Sequence, residues 1–409
     1  MFSLVRHCWL FVLLFCAYAS EYLIQHLSIW WLRSRMGLIG SAMFQFIGWV
    51  PLVVCALLLL FICRKDRVER GFTFYFGFCL PLLILLICTE WMQIFPGSKW
   101  MILLVYFGAQ ITKVIPIILF WGWANRHNHF STAAWLYPFF AVIPLSIPVI
   151  VDSGVFLKNV SVYQFLTLLG LQALMAVCFF SGNSFFTLKP TPRPASIAWI
   201  TVSVAAILIS LGIGSYFLEM SFKWQARLAF PEWAVYKQFI AHLAFLKFRW
   251  TFILFGVSLL LGGYLAITGR RQLAPVILLF QWVAIASAGM VAYAAQRGTI
   301  SGYDAIEVAW IGLGLFRAVR ILLDTVFLEL GFILLPMRRR FTVKLWVDLV
   351  LAPMIVPCIT GMWWWIARAH DWLRDPPPSI WVAAGALAFG MGFIGVLGLN
   401  WSASDRRVD

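Results

Sequence analysis

The chain has 409 residues, of which 63% are hydrophobic and only 11% charged, with a mean hydropathy of +0.90 and a formal net charge of +15. A soluble domain carries roughly a quarter of its residues as Asp, Glu, Lys and Arg, so this balance excludes one and predicts an all-α polytopic membrane protein with the lipid bilayer as its main partner. The excess of basic residues is read as the bias of cytoplasmic loops plus a few buried cations, and not as a nucleic-acid surface.

Apolar runs long enough to cross a bilayer fall at about 8–32, 37–63, 72–95, 99–124, 131–151, 161–187, 197–220, 248–268, 273–295, 305–336, 345–368 and 378–400. The first resembles a signal peptide, with Arg6, an apolar stretch and Ala17-Tyr18-Ala19, but its apolar pattern continues through Trp31 and Leu32 and predicts a retained helix. Twenty-two tryptophans suit the aromatic belts at the two interfaces. The eight cysteines have no CxxC spacing and read as reduced, structural thiols. Between the sixth and seventh runs, Lys189-Pro190-Thr191-Pro192-Arg193-Pro194 forbids a helix and makes a stiff connector. The expected domains are therefore a six-helix bundle over 1–187, a cytoplasmic linker over 188–196 and a second six-helix bundle over 197–409. Basic clusters such as Arg64-Lys65-Asp66-Arg67 and Arg338-Arg339-Arg340 fall on one side, which places both termini in the cytoplasm. The stretch Glu219 to Arg249, broken by Pro231, reads as an extension of the seventh helix, a turn and a helix leading into the eighth. The glycines of the last run, including Gly392 and Gly395, permit close helix packing.

Polar residues inside apolar runs carry the functional information, because a charge at the bilayer centre costs at least about 2.5–3.5 kcal/mol. The tenth run holds Arg317, Arg320, Asp324 and Glu329, and the spacing of the first three puts them on one helical face. Two readings follow: an internal ion pair of Arg320 with Asp324, or two guanidiniums on a watery cavity that bind an anion. The second is preferred, because two cations exceed the single aspartate by one charge. Lys113 sits near the middle of the fourth run, after Gln110, and faces either a pathway or a carboxylate such as Glu21 in the first. Gln45 is a neutral polar residue in the second run. Glu219 with Lys223, and Lys344 with Asp348, have i, i+4 spacing and read as ion pairs, the former also as a candidate gate. His127 and His129 flank a loop and are expected in water. No hydrolytic, redox or metal constellation is present in the sequence, so no enzyme, metal or cofactor is expected.

Three segments resemble the ATP/ADP translocase family of obligate intracellular bacteria and plastids. In FWGWANRHNHFSTAAWLYPFF the matching residues are Phe120, Trp121, Gly122, Ala124, Asn125, Tyr137, Pro138 and Phe139. After the seventh run they are Leu218, Glu219, Lys223, Gln225, Pro231, Tyr236 and Phe239. In FRAVRILLDTVFLELGFI they are Arg317, Ala318, Arg320, Glu329, Phe332 and Ile333, followed by Lys344 and Asp348. The resemblance implies a major-facilitator-like fold and exchange of nucleotides such as ATP and ADP across a bacterial inner membrane by a monomer that alternates access between its halves. The departures remove cations. Ser20-Glu21-Tyr22-Leu23-Ile24-Gln25-His26 replaces the family's charged first-helix pattern, Gln45 stands for a lysine, Ala109 or Gln110 for a glutamate, and Pro353 to Val356 carries no charge. Lys113, Arg317 and Arg320 are then the expected anion contacts, with Gln45, Gln110, Glu219 and Lys223 beside them. Glu21, Asp324, Glu329, Lys344 and Asp348 supply charge balance or gating. Two alternatives stay open: a scaffold that keeps the fold without transporting, and a proton-coupled carrier of another solute with Glu21 or Glu219 as the proton carrier.

Overall fold

The computed structural model describes residues 2–63, 68–92, 94, 98–152, 162–182, 197–229, 232–297, 303–369, 390 and 392–398. The helices are α1 (Phe2–Phe46), α2 (Val50–Ile62), α3 (68–91), α4 (Lys99–His127), α5 (Phe130–Asp152), α6 (Val162–Gly182), α7 (Ile197–Ala229), α8 (Trp233–Thr268), α9 (Leu273–Arg297), α10 (303–333), α11 (337–369) and a short α12 (392–398). They follow the twelve apolar runs in order. The linker 188–196, the Asn159 segment and most of the twelfth run lie outside the described residues.

Where helices stop, the chemistry of the backbone explains it. Pro51 sits in the first turn of α2, where its missing N–H costs nothing. Pro336 separates α10 from α11, and α8 ends at Gly269, whose φ of 83° suits glycine. Ser98 caps α4 by accepting from the Met101 N–H. On either side of Pro231, α7 ends at Ala229 and α8 begins at Trp233, so the extension of the seventh helix and the helix leading into the eighth are both present.

The first boundary differs from expectation. The chain stays helical through Arg33-Ser34-Arg35-Met36, making α1 a single helix of 45 residues, and breaks only at Ile47-Gly48-Trp49. Nothing in 33–36 opposes a helix, and the Ser34 hydroxyl is satisfied on the Trp31 carbonyl. At about 1.5 Å per residue, a helix that long exceeds the roughly 30 Å hydrocarbon core of a bilayer about twofold. Its apolar portion is His7–Met36.

Three helices contain a π turn: Tyr75–Cys79 in α3, Leu323–Phe327 in α10 and Trp346–Leu351 in α11. Such turns widen a helix by one residue and cluster at functional sites. Two of the three hold a carboxylate, Asp324 and Asp348.

The chain packs as two compact units. The first comprises Met1–His129, Ile143–Pro192 and Pro336–Pro353. In it α1 packs on α4 and α6, and the beginning of α11 packs on α4 and α2. A Cβ on Gly122 would run into the Phe341 ring, so glycine is what lets α4 and α11 approach there. The second comprises Phe130–Val142, Arg193–Leu335 and Met354–Asp409. In it α10 packs on α9, α8 and α7, and Gly395 lets α12 approach α7, since a Cβ there would lie 2.7 Å from the Ser203 carbonyl oxygen. Thus the first part of α5 groups with later helices, and the first part of α11 with earlier ones. Among the described residues, five helices are long and apolar enough to cross a membrane on length and composition, and all eight cysteines are free thiols.

Candidate functional site

Two polar clusters lie within the apolar helices, one in each unit. In the second unit, Glu219 of α7 meets Arg317 of α10. The guanidinium donates from Nε at 3.2 Å and from Nη2 at 2.9 Å to Oε1 of Glu219. One turn further, Arg320 donates from Nη1 to the Ser215 hydroxyl at 2.7 Å, and its Nε lies 3.6 Å from Oδ2 of Asp324. The Asp324 carboxylate is carried by the π turn. The side chains of Arg317 and Arg320 keep 25% and 39% of their exposure, so both cations stay within reach of a solute. Glu329, two turns beyond Arg320, is buried.

This geometry adds to one expectation and corrects another. Glu219 pairs with Arg317, 98 residues away; its expected i, i+4 pairing with Lys223 falls on a side chain outside the described residues. The presumed excess of one positive charge on α10 is cancelled, because Glu219 and Asp324 match the two arginines one to one. The Arg320–Asp324 pair is present as the i, i+4 spacing suggests.

In the first unit, Glu21 of α1 and Lys113 of α4 are both half-buried, on helices that pack on each other. No hydrogen bond or ion pair closes between them among the described residues. Around them the half-exposed face of α1 is polar: Tyr18, Glu21, Tyr22, Gln25 and His26 recur at helical spacing. On the α4 side, Gln110 is buried one turn before Lys113, and Trp121 donates to the Tyr18 hydroxyl at 3.4 Å. The side chain of Gln45 lies outside the described residues. Tyr18, Tyr22, Gln25 and Ser215 were not singled out in the sequence. Their signal was there for three of them, as polar side chains at i, i+4 and i+7 inside an apolar run.

A third group of charges sits where α11 begins. Lys344 is almost completely buried and pairs with Asp348 at 2.6 Å, one turn on. Arg340 donates to the Asn125 carbonyl at the end of α4, and Arg126 pairs with Glu69 of α3 at 3.2 Å. His127 is buried, with Nδ1 2.8 Å from the Trp123 carbonyl oxygen, so the expectation of water around it is wrong; His129 is exposed. Six of the segment's matched or neighbouring residues, Phe120 to Asn125, are buried, which gives that motif a packing role. Among the described residues, no group of three or more His, Cys, Asp or Glu is placed to hold a metal ion.

Comparison with known proteins places the fold. No family model matches the chain, and no curated protein matches its sequence; the ATP/ADP translocase resemblance gains no support from them. Solved structures do match. A bacterial homologue of the iron transporter ferroportin, in an outward-facing state with soaked iron, superposes with a TM-score of 0.66 at 13% identity, covering 97% of this chain and 99% of that one. FucP, a Major Facilitator Superfamily transporter captured in the outward conformation, gives 0.61 at 14% identity over 97% and 99%. The human organic anion transporter MFSD10 gives 0.55 at 11% identity over 96% and 98%. In a fold built of two parallel six-helix repeats, the first and fourth helices correspond to the seventh and tenth. The Glu21/Lys113 and Glu219/Arg317 pairs occupy those corresponding helices, with Lys113 and Arg317 each midway along its own. The chain is an all-α, multi-pass membrane protein with a major-facilitator-like fold.

Proposed function

We propose that the protein is a secondary transporter that moves a small anionic solute by alternating access, with both termini in the cytoplasm and the chain in a bacterial cell membrane. Phosphorylated metabolites are the favoured class, and nucleotides such as ATP and ADP belong to it. The observation that carries this reading is the pair Arg317 and Arg320, held on one half-exposed face of α10 inside an apolar helix bundle. Guanidinium groups bind phosphate and carboxylate through forked donors, and a fold shared with transporters supplies a route for the solute. Since Glu219 and Asp324 already neutralise the arginines, the anion binds in competition with them. That competition favours a solute of one or two negative charges over a triphosphate, and it favours exchange: an empty site re-forms its internal pairs, and a new anion must displace them. Within the first unit, Lys113, Gln110 and Gln45 are assigned to solute contacts, and Lys344 with Asp348 to gating.

Uptake of labelled ATP, ADP and smaller phosphorylated metabolites into proteoliposomes loaded with the same compound tests this. Arg317→Ala is expected to cut uptake at least about tenfold, the loss of one charge-assisted contact. Uptake indifferent to both Arg317→Ala and Arg320→Ala would remove the arginines from the site.

A further inference from the structure

We propose that the α1/α4 cluster is a second solute subsite, one built for a zwitterionic group: Glu21 receives a primary ammonium and Lys113 receives the carboxylate or phosphate of the same solute. The argument starts from a contrast between the two corresponding pairs. Glu219 and Arg317 are closed on each other at 2.9 Å. Glu21 and Lys113 lie on helices packed on each other but form no ion pair among the described residues, although both sit well inside helices whose apolar parts are long enough to cross a membrane.

Two opposite charges held apart at that depth are stable only if each meets a partner of the opposite sign. A solute bearing one sign alone would satisfy one of them and strand the other. A solute bearing both satisfies both, and leaves the cluster neutral. The surroundings are those of a binding surface and not of a sealed ion pair. Gln110 is buried one turn from Lys113, Tyr18 and Tyr22 flank Glu21 on the same half-exposed face, and the hydroxyl of Ser20, next to Glu21, is buried with no hydrogen-bond partner among the described residues. Each is a neutral group able to orient a solute already held by its charges.

The proposal deepens the transporter reading by naming the charges on the solute, and it fails separately from it. Binding to the purified full-length protein in nanodiscs is measured by calorimetry for phosphoethanolamine, phosphoserine and β-alanine, against ethyl phosphate, acetate and ethanolamine. At least one zwitterion is expected to bind at least about tenfold more tightly than the compounds that share only one of its charges. Glu21→Gln should abolish that preference while strengthening ethyl phosphate binding, since it removes a negative charge that competes for Lys113, and Lys113→Gln should weaken every anionic member of the panel. The double exchange Glu21→Lys with Lys113→Glu keeps both charges and should retain the preference; its melting temperature guards against a folding defect. No zwitterion bound, or a preference that survives Glu21→Gln, overturns the proposal. If Arg317→Ala abolishes phosphate binding while Glu21→Gln changes nothing, the anion carrier stands and the zwitterion site does not.

Discussion

Lys344 shows what a single charge demands inside this protein. Its side chain is 2% exposed and its ammonium lies 2.6 Å from Asp348, while Asp348 keeps 26% of its own exposure. The two partners are therefore unequal. Removing the lysine leaves a carboxylate that can still reach polar surroundings; removing the carboxylate leaves a buried cation with its strongest acceptor gone. Breaking a buried pair from the wrong side costs about 3–5 kcal/mol, whereas replacing it with apolar groups is often neutral. Asp348→Asn is accordingly expected to lower the melting temperature of the detergent-solubilised protein far more than Lys344→Met, and Lys344→Met in the Asp348→Asn background to recover most of the loss. Equal effects of the two single changes would show that the burial of Lys344 does not set the energetics. The i, i+4 spacing made this pair legible in the sequence, as it did Arg320 with Asp324. The spacing could not reveal which partner is buried, nor that Glu219 would reach Arg317 on another helix, because such contacts are made between residues about a hundred positions apart.

At the scale of elements, hydrophobic run lengths were enough to locate the described helices; Pro51 marks the start of α2, and Gly269 and Pro336 the ends of α8 and α10. Local pattern failed in two ways. It placed a break in Arg33–Met36, where charge interrupts an apolar run but nothing interrupts the backbone. It also gave no sign of the π turns at Leu323–Phe327 and Trp346–Leu351, since one extra residue in a helical turn leaves no compositional mark. The contact of α4 with α11 is likewise invisible in either segment alone. It depends on Gly122 being small opposite Phe341. Gly122→Ala is expected to destabilise the protein by about 1–3 kcal/mol through overpacking, even though alanine is the better helix former. Phe341→Ala alone should also destabilise, by opening a cavity, and the two changes together should cost less than their sum. Additive costs in thermal denaturation would mean that the two residues do not meet.

For the whole molecule, the balance between apolar length and backbone breaks determines how often the chain crosses the bilayer, and the count has a consequence for sidedness. Twelve crossings, an even number, return the chain to the side on which it began. We propose that this side is the cytoplasm, on the basic clusters Arg270-Arg271 and Arg338-Arg339-Arg340, because lysine- and arginine-rich short loops are retained there. On that proposed orientation the connections at Gly269–Gln272 and at Pro336 lie inside, and the chain after Ala229 lies outside. Alkaline phosphatase, active only outside the cytoplasm, is expected to be active when fused after Ala229 and inactive when fused after Gln272 or Pro336; green fluorescent protein should show the reverse. Phosphatase activity after Gln272 or Pro336, or none after Ala229, would overturn this orientation.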